Sequence, residues 1–175
     1  MNTVLAVIDL QGKLAVSVKN HEQVLERLCV LLPAARKLDI PIIWVEHVPE
    51  KLGATHPEVA KHLEGLTPLA KDTFNACYNK DFIEQLSYHE AEQVLMVGVE
   101  SHVCILQTAE GILERGLKLQ IVTDAVSSRN GADRQVALDR LTQAGAKMTT
   151  TEILLFELLK TPKHPQFRAV LSLLK

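Results

Sequence analysis

The sequence has 175 residues, 47% of them hydrophobic and 23% charged, enough apolar material for a substantial core and a length that suits one domain, expected over residues 1–175. With 19 basic and 21 acidic side chains the formal net charge is −2 and no long basic run occurs, which argues against a nucleic-acid partner. Apolar runs are strand-sized, so neither a membrane span nor a signal peptide is expected. The 3 cysteines fit no disulfide framework or zinc spacing and suit a reducing, cytoplasmic setting.

Thr3 to Ile8 is an apolar, β-branched run that predicts a buried first strand, followed by a polar loop. Over Glu22 to Lys37, Val24, Leu25, Leu28, Leu31, Leu32 and Ala35 recur at helical spacing. Ile42 to Val45 predicts the second strand. Pro49 to Thr67, with Gly53, Pro57 and Gly65, predicts a long loop with a short helix near Glu58 to Leu63. Leu69-Ala70 suggests a short third strand, Asp81 to Leu86 a helix, and Gln93 to Val99 a fourth strand. Val103 to Arg115 is expected to be helical and capped by Gly116. Leu117 to Thr123 predicts strand five. Asn130 caps a helix reaching about Gln143, and Lys147 to Thr149 predicts strand six. Thr149 and Glu152 have capping-box spacing, and Pro162 and Pro165 divide the C-terminal helical region. Strands apolar throughout, alternating with amphipathic helices, indicate an α/β sandwich whose parallel sheet is covered on both faces. Ligands of such sheets bind beyond the carboxyl ends of the strands.

Polar residues at those ends are therefore the candidates. Asp9 follows strand one directly and reads equally as a turn residue or a functional acid. Cys104 lies between strand four and the next helix. There a helix N-terminus favours a thiolate and nearby N–H groups can hold an oxyanion, although spacing alone reads it first as a small packing residue. Lys71 ends the short run Pro68-Leu69-Ala70; alone it reads as a surface lysine, and beside a carboxylate and a thiol it would stabilise both anions. Cys29 reads as a packing residue, Cys77 is expected in a loop beside Tyr78 and partly exposed, neither has an adjacent base, and Asp124 reads as a turn or cap. His47, His56 and His62 match no standard metal spacing, and no glycine-rich phosphate loop occurs, so no metal and no cofactor is expected.

The segments Val7-Ile8-Asp9-Leu10-Gln11, Lys71-Asp72-Thr73-Phe74, Gly98-Val99-Glu100-Ser101-His102-Val103-Cys104, Asp124 to Arg129 and Ala144 to Glu152 together resemble the isochorismatase-like cysteine hydrolases over nearly the whole chain. The resemblance implies a three-layer α/β/α sandwich, Rossmann-like, with a six-stranded parallel sheet in the order 3-2-1-4-5-6. It implies catalytic Asp9, Lys71 and Cys104, a cis peptide at Val99-Glu100, and an oxyanion hole made by the N–H groups of Glu100 and Cys104. Gln11, Trp44 and Phe74 are candidate pocket residues, core packing being the alternative for the two aromatics. The Asp-x-His metal motif of the nicotinamidase branch is replaced by Trp44-Val45-Glu46-His47-Val48. The expected activity is thioester-forming hydrolysis of a small amide or related C–N bond. The alternatives are vinyl-ether hydrolysis on an isochorismate-like substrate and a binding protein that keeps the fold without turnover. A homo-oligomer is also expected, from the apolar C-terminal segments Ile153 to Phe156 and Val170 to Leu174 and from the resemblance.

Overall fold

The computed structural model describes all 175 residues. Six parallel strands form one sheet: β1 (Thr3–Ile8), β2 (Ile42–His47), β3 (Leu69–Lys71), β4 (Gln93–Val99), β5 (Lys118–Ser127) and β6 (Lys147–Thr149), in the order β3-β2-β1-β4-β5-β6. The helices are α1 (Gly12–Ser17), α2 (His21–Lys37), α3 (Pro49–Leu52), α4 (Pro57–Ala60), α5 (Lys80–Tyr88), α6 (Leu106–Glu114), α7 (Gly131–Gln143), α8 (Thr151–Leu159) and α9 (Phe167–Leu171). None is long and apolar enough to cross a membrane.

The period-two alternation of a strand sends successive apolar residues to opposite faces, and both faces are buried here. Val4, Ala6 and Ile8 of β1 join a core with Phe82 and Leu86 of α5, Ile112 of α6 and Leu141 of α7. Leu5 and Val7 join the opposite core with Leu28 and Leu32 of α2, Leu154 and Leu155 of α8, and Val170 of α9. Burying each such side chain contributes about 1.5–3 kcal/mol. The C-terminal apolar residues therefore mostly pack on α2, leaving Ile153 and Phe156 as the exposed large ones. The sequence overstated the free apolar surface there, because it could not show that α2 already covers most of it.

Several local expectations change. Gly12–Ser17 forms one short helix, held by the Ala15 N–H bonding Gln11 O at 2.9 Å, where a polar loop was expected. β5 runs four residues past Thr123, to Ser127, because a register shift lets its end pair with the end of β4, Val99 facing Ser127. The α8 cap is Thr150, whose side chain accepts from the Ile153 N–H, so Thr149 and Glu152 form no capping box. The strand order puts β1 and β4 side by side where the chain reverses direction across the sheet. Loops from β1, β3 and β4 thus meet at one carboxyl edge.

Candidate active site

The approach of β4 to β1 is set by a glycine. A Cβ on Gly98 would lie 2.0 Å from Ile8 O, and its φ of +123° is also closed to other side chains. Immediately beyond Ile8, Asp9 takes a left-handed φ of 53°, a conformation aspartate tolerates better than most residues. Its N–H donates to Val45 O at 3.1 Å, which fixes the carboxylate beyond the strand edge. Beyond β4, the Val99-Glu100 peptide is cis. Cys104 lies in a π-helical turn, Ser101–Ile105, closed by Ile105 N–H bonding Glu100 O at 3.2 Å. Such widened turns are rare and concentrate at functional sites. The Glu100 carboxylate is held by the backbone N–H of Arg129 (3.0 Å) and by its guanidinium Nε (3.0 Å).

Lys71, the last residue of β3, brings these pieces together. Its Nζ lies 2.8 Å from Asp9 Oδ2, 3.0 Å from Thr73 O, 3.2 Å from His47 Nδ1 and 3.6 Å from Cys104 Sγ. The Asp9 and Lys71 side chains are fully buried. Cys104 retains 6% exposure. Asp9 Oδ1 is buried without a partner.

Burial raises the Asp9 carboxyl above the usual carboxylate range, and the Lys71 charge opposes that rise, helped by hydrogen bonds from Cys104 and Lys71 and by His47. The Cys104 thiol is pushed up to about 12, first by burial and then by the Asp9 charge, against the pull of Lys71. This corrects the expectation of a thiolate favoured by a helix N-terminus. The sulfur sits within the turn, and desolvation outweighs the ammonium. The thiol therefore rests protonated beside the buried Asp9–Lys71 pair.

Of the expected pocket residues, only Phe74 stands at the open side of this centre, 51% exposed and with its ring 5.5 Å from that of His47. Gln11 is fully buried and its amide is consumed by backbone: Nε2 donates to Gly53 O (2.8 Å) and His47 O (3.1 Å), and Oε1 accepts from His47 N–H (2.6 Å). It is a brace for the chain after β2, not a pocket wall. Trp44 packs in the core on the opposite face of the sheet from Cys104, its Nε1–H bonded to Thr55 Oγ1 at 2.8 Å. Glu46 is spent in the same chain, accepting from Thr55 Oγ1 (2.7 Å) and Thr55 N (2.8 Å). Asp124, expected as a turn or cap residue, accepts from the Thr151 N–H (2.8 Å) and Oγ1 (3.0 Å) and so supports the first turn of α8 beside the Thr150 cap.

The residue that sequence reasoning passed over is His47. By sequence it is weighed only as a metal ligand, with β2 expected to end at Val45, but β2 extends two residues further, and His47 then pairs in register with Lys71. Its position at a strand's carboxyl end was the signal that could have found it.

Residues 3–153 match the family model described as the Isochorismatase domain. The chain belongs to this family. It is 39% identical over 172 residues to Isochorismatase domain-containing protein 2 of Danio rerio, an alignment spanning 98% of this chain and 86% of the relative. A solved structure described as the MAR1 ribonuclease of Caenorhabditis elegans superposes with a TM-score of 0.93 at 39% identity, covering 98% of this chain and 88% of that one. The YcaC gene product of Escherichia coli, described as an octameric hydrolase of unknown specificity, superposes with a TM-score of 0.88 over 98% of this chain and 92% of that one. At 23% identity this last likeness concerns the fold. By family and by its six-stranded parallel sheet the chain thus groups with the isochorismatase-like hydrolases.

Proposed function

We propose that the chain hydrolyses a small amide, or a related C–N bond, through a thioester on Cys104. The observation that carries this reading is the buried Lys71 ammonium, which reaches the Asp9 carboxylate at 2.8 Å and the Cys104 sulfur at 3.6 Å. Asp9 Oδ1 is the free acceptor for the thiol proton. With the thiol held near 12, proton transfer accompanies attack rather than preceding it. The sulfur forms a bond to the carbonyl carbon, and the N–H groups of Glu100 and Cys104 hold the resulting oxyanion. Asp9 returns its proton to the leaving nitrogen as the C–N bond breaks. It then takes a proton from water, whose oxygen displaces the sulfur and releases a carboxylic acid, and passes that proton to the departing sulfur to restore the thiol. Lys71 offsets part of the burial of Asp9 and so favours its return to the carboxylate after each proton it passes on. A centre this enclosed suits a small substrate entering past Phe74.

Cys104→Ala and Asp9→Asn should each abolish turnover across a panel of small amides while leaving the fold intact. Turnover surviving in Cys104→Ala would end covalent catalysis and favour vinyl-ether chemistry, which the family's name supports. If no amide or isochorismate-like compound is turned over by the unaltered protein, an idle binding role is favoured instead. RNA belongs in the same panel because of the description of the C. elegans neighbour. A phosphodiester anion would meet the Asp9 carboxylate, and the single ammonium already has three oxygen or nitrogen acceptors.

Self-association belongs to the same proposal. Ile153 and Phe156, exposed on α8, are its apolar contact, and the octameric description of the E. coli neighbour supports it. Light scattering should show a species larger than 19.4 kDa, and Phe156→Glu should reduce it.

A further inference from the structure

An ammonium has three N–H donors and no acceptor. The three nearest oxygen or nitrogen partners of Lys71 Nζ are Asp9 Oδ2, Thr73 O and His47 Nδ1 at 2.8, 3.0 and 3.2 Å. His47 Nδ1 is therefore an acceptor with a free lone pair. The proton of the neutral ring is then on Nε2. Burial and the Lys71 charge keep the ring neutral by lowering its pKa, against the weaker raising effects of Asp9, Asp72 and Glu50.

That Nε2–H has no acceptor in the chain. The residue is half-buried, and its ring tilts against Phe74, whose own ring is exposed. Its backbone is braced on both sides by Gln11, so the donor is held in place before anything binds. Two links through Lys71 Nζ, of 3.2 and 3.6 Å, join the ring to the Cys104 sulfur. One small molecule can span from one to the other.

Resting on the cysteine-hydrolase reading above, we propose that His47 is a specificity residue, whose Nε2–H binds a second acceptor oxygen, a carboxylate or carbonyl, on a small amide bonded at Cys104. Phe74 covers the flat or apolar part of that molecule. The preferred substrates are thus acylated amino acids and similar amides bearing a remote carboxylate, rather than bare amides.

The probes are iodoacetamide and iodoacetylglycine, which share one electrophilic carbon; the second adds a carboxylate. Alkylation of Cys104, with loss of iodide, is followed by peptide mass spectrometry in the unaltered protein, His47→Asn and His47→Gln. The Asn amide leaves an acceptor where Nδ1 stands but does not reach Nε2, and the Gln amide restores a donor near Nε2. The unaltered protein should saturate at lower iodoacetylglycine than iodoacetamide. His47→Asn should raise the half-saturating iodoacetylglycine concentration about tenfold more than it raises that of iodoacetamide. His47→Gln should recover most of that binding.

If both reagents slow equally in His47→Asn, or neither changes, His47 does not select substrate and this inference falls while the nucleophile stands. If Cys104 in the unaltered protein reacts no faster than Cys29 and Cys77 with either reagent, the cysteine-hydrolase reading falls, and this inference with it.

Discussion

Lys71→Met removes the positive charge from the centre while keeping a side chain of similar length. The pair it breaks is fully buried on both sides, with Nζ 2.8 Å from Asp9 Oδ2. At an effective dielectric of about 20, opposite charges at that separation attract by about 6 kcal/mol. Measured losses for removing one member of a buried pair are smaller, about 3–5 kcal/mol, because the stranded group relaxes or neutralises. Asp9 can neutralise by binding a proton. Its carboxyl is already raised by burial, and the variant removes the largest opposing effect. A carboxyl held above its unfolded value of about 3.9 favours folding most at low pH, and the advantage is lost as pH rises through the folded value. The stability deficit of Lys71→Met should accordingly be small near pH 5 and grow to about 3–5 kcal/mol at pH 8. Urea unfolding at both pH values reads this directly. The double variant Asp9→Leu with Lys71→Met leaves no charge buried and should recover most of the loss at pH 8. A loss below about 1 kcal/mol at pH 8, or one independent of pH, would refute the claim that the two groups are an ionised buried pair.

Gln11→Leu should cost about 2–4 kcal/mol, since it strands the backbone groups of His47 and the carbonyl of Gly53, and hydrogen exchange should quicken over residues 47–53. Gly98→Ala should destabilise by at least about 3 kcal/mol in thermal unfolding, because its methyl would meet Ile8 O at 2.0 Å; unaltered stability would show that β1 and β4 can separate freely. Iodoacetamide labelling of Cys104 at pH 7 should fall at least about tenfold in Asp9→Asn and then climb with pH, since the loss of the base outweighs the relief of the Asp9 charge that helps to raise the thiol; equal rates in both proteins would remove Asp9 from that role. Asp124→Ala should cost about 1–2 kcal/mol in urea unfolding through the lost cap on Thr151.

What the sequence by itself determined is local or repetitive. The runs Thr3 to Ile8 and Gln93 to Val99 could be read as buried strands because every residue in them is compatible with a covered sheet, and the ends of both agree with the structure. The family segments carried the strand order, and with it the meeting of Asp9, Lys71 and Cys104 at one edge. Tertiary structure decided what depends on register and on who occupies a polar group. His47 joined the centre because β2 continues into pairing with Lys71, a contact between residues 24 positions apart. Gln11 and Trp44 left it because their donors had backbone and Thr55 partners that no local pattern reveals. The proton on Cys104 was decided last. Desolvation, the Asp9 charge and the Lys71 charge act there together, and their balance depends on distances of a few ångströms between segments far apart in the chain.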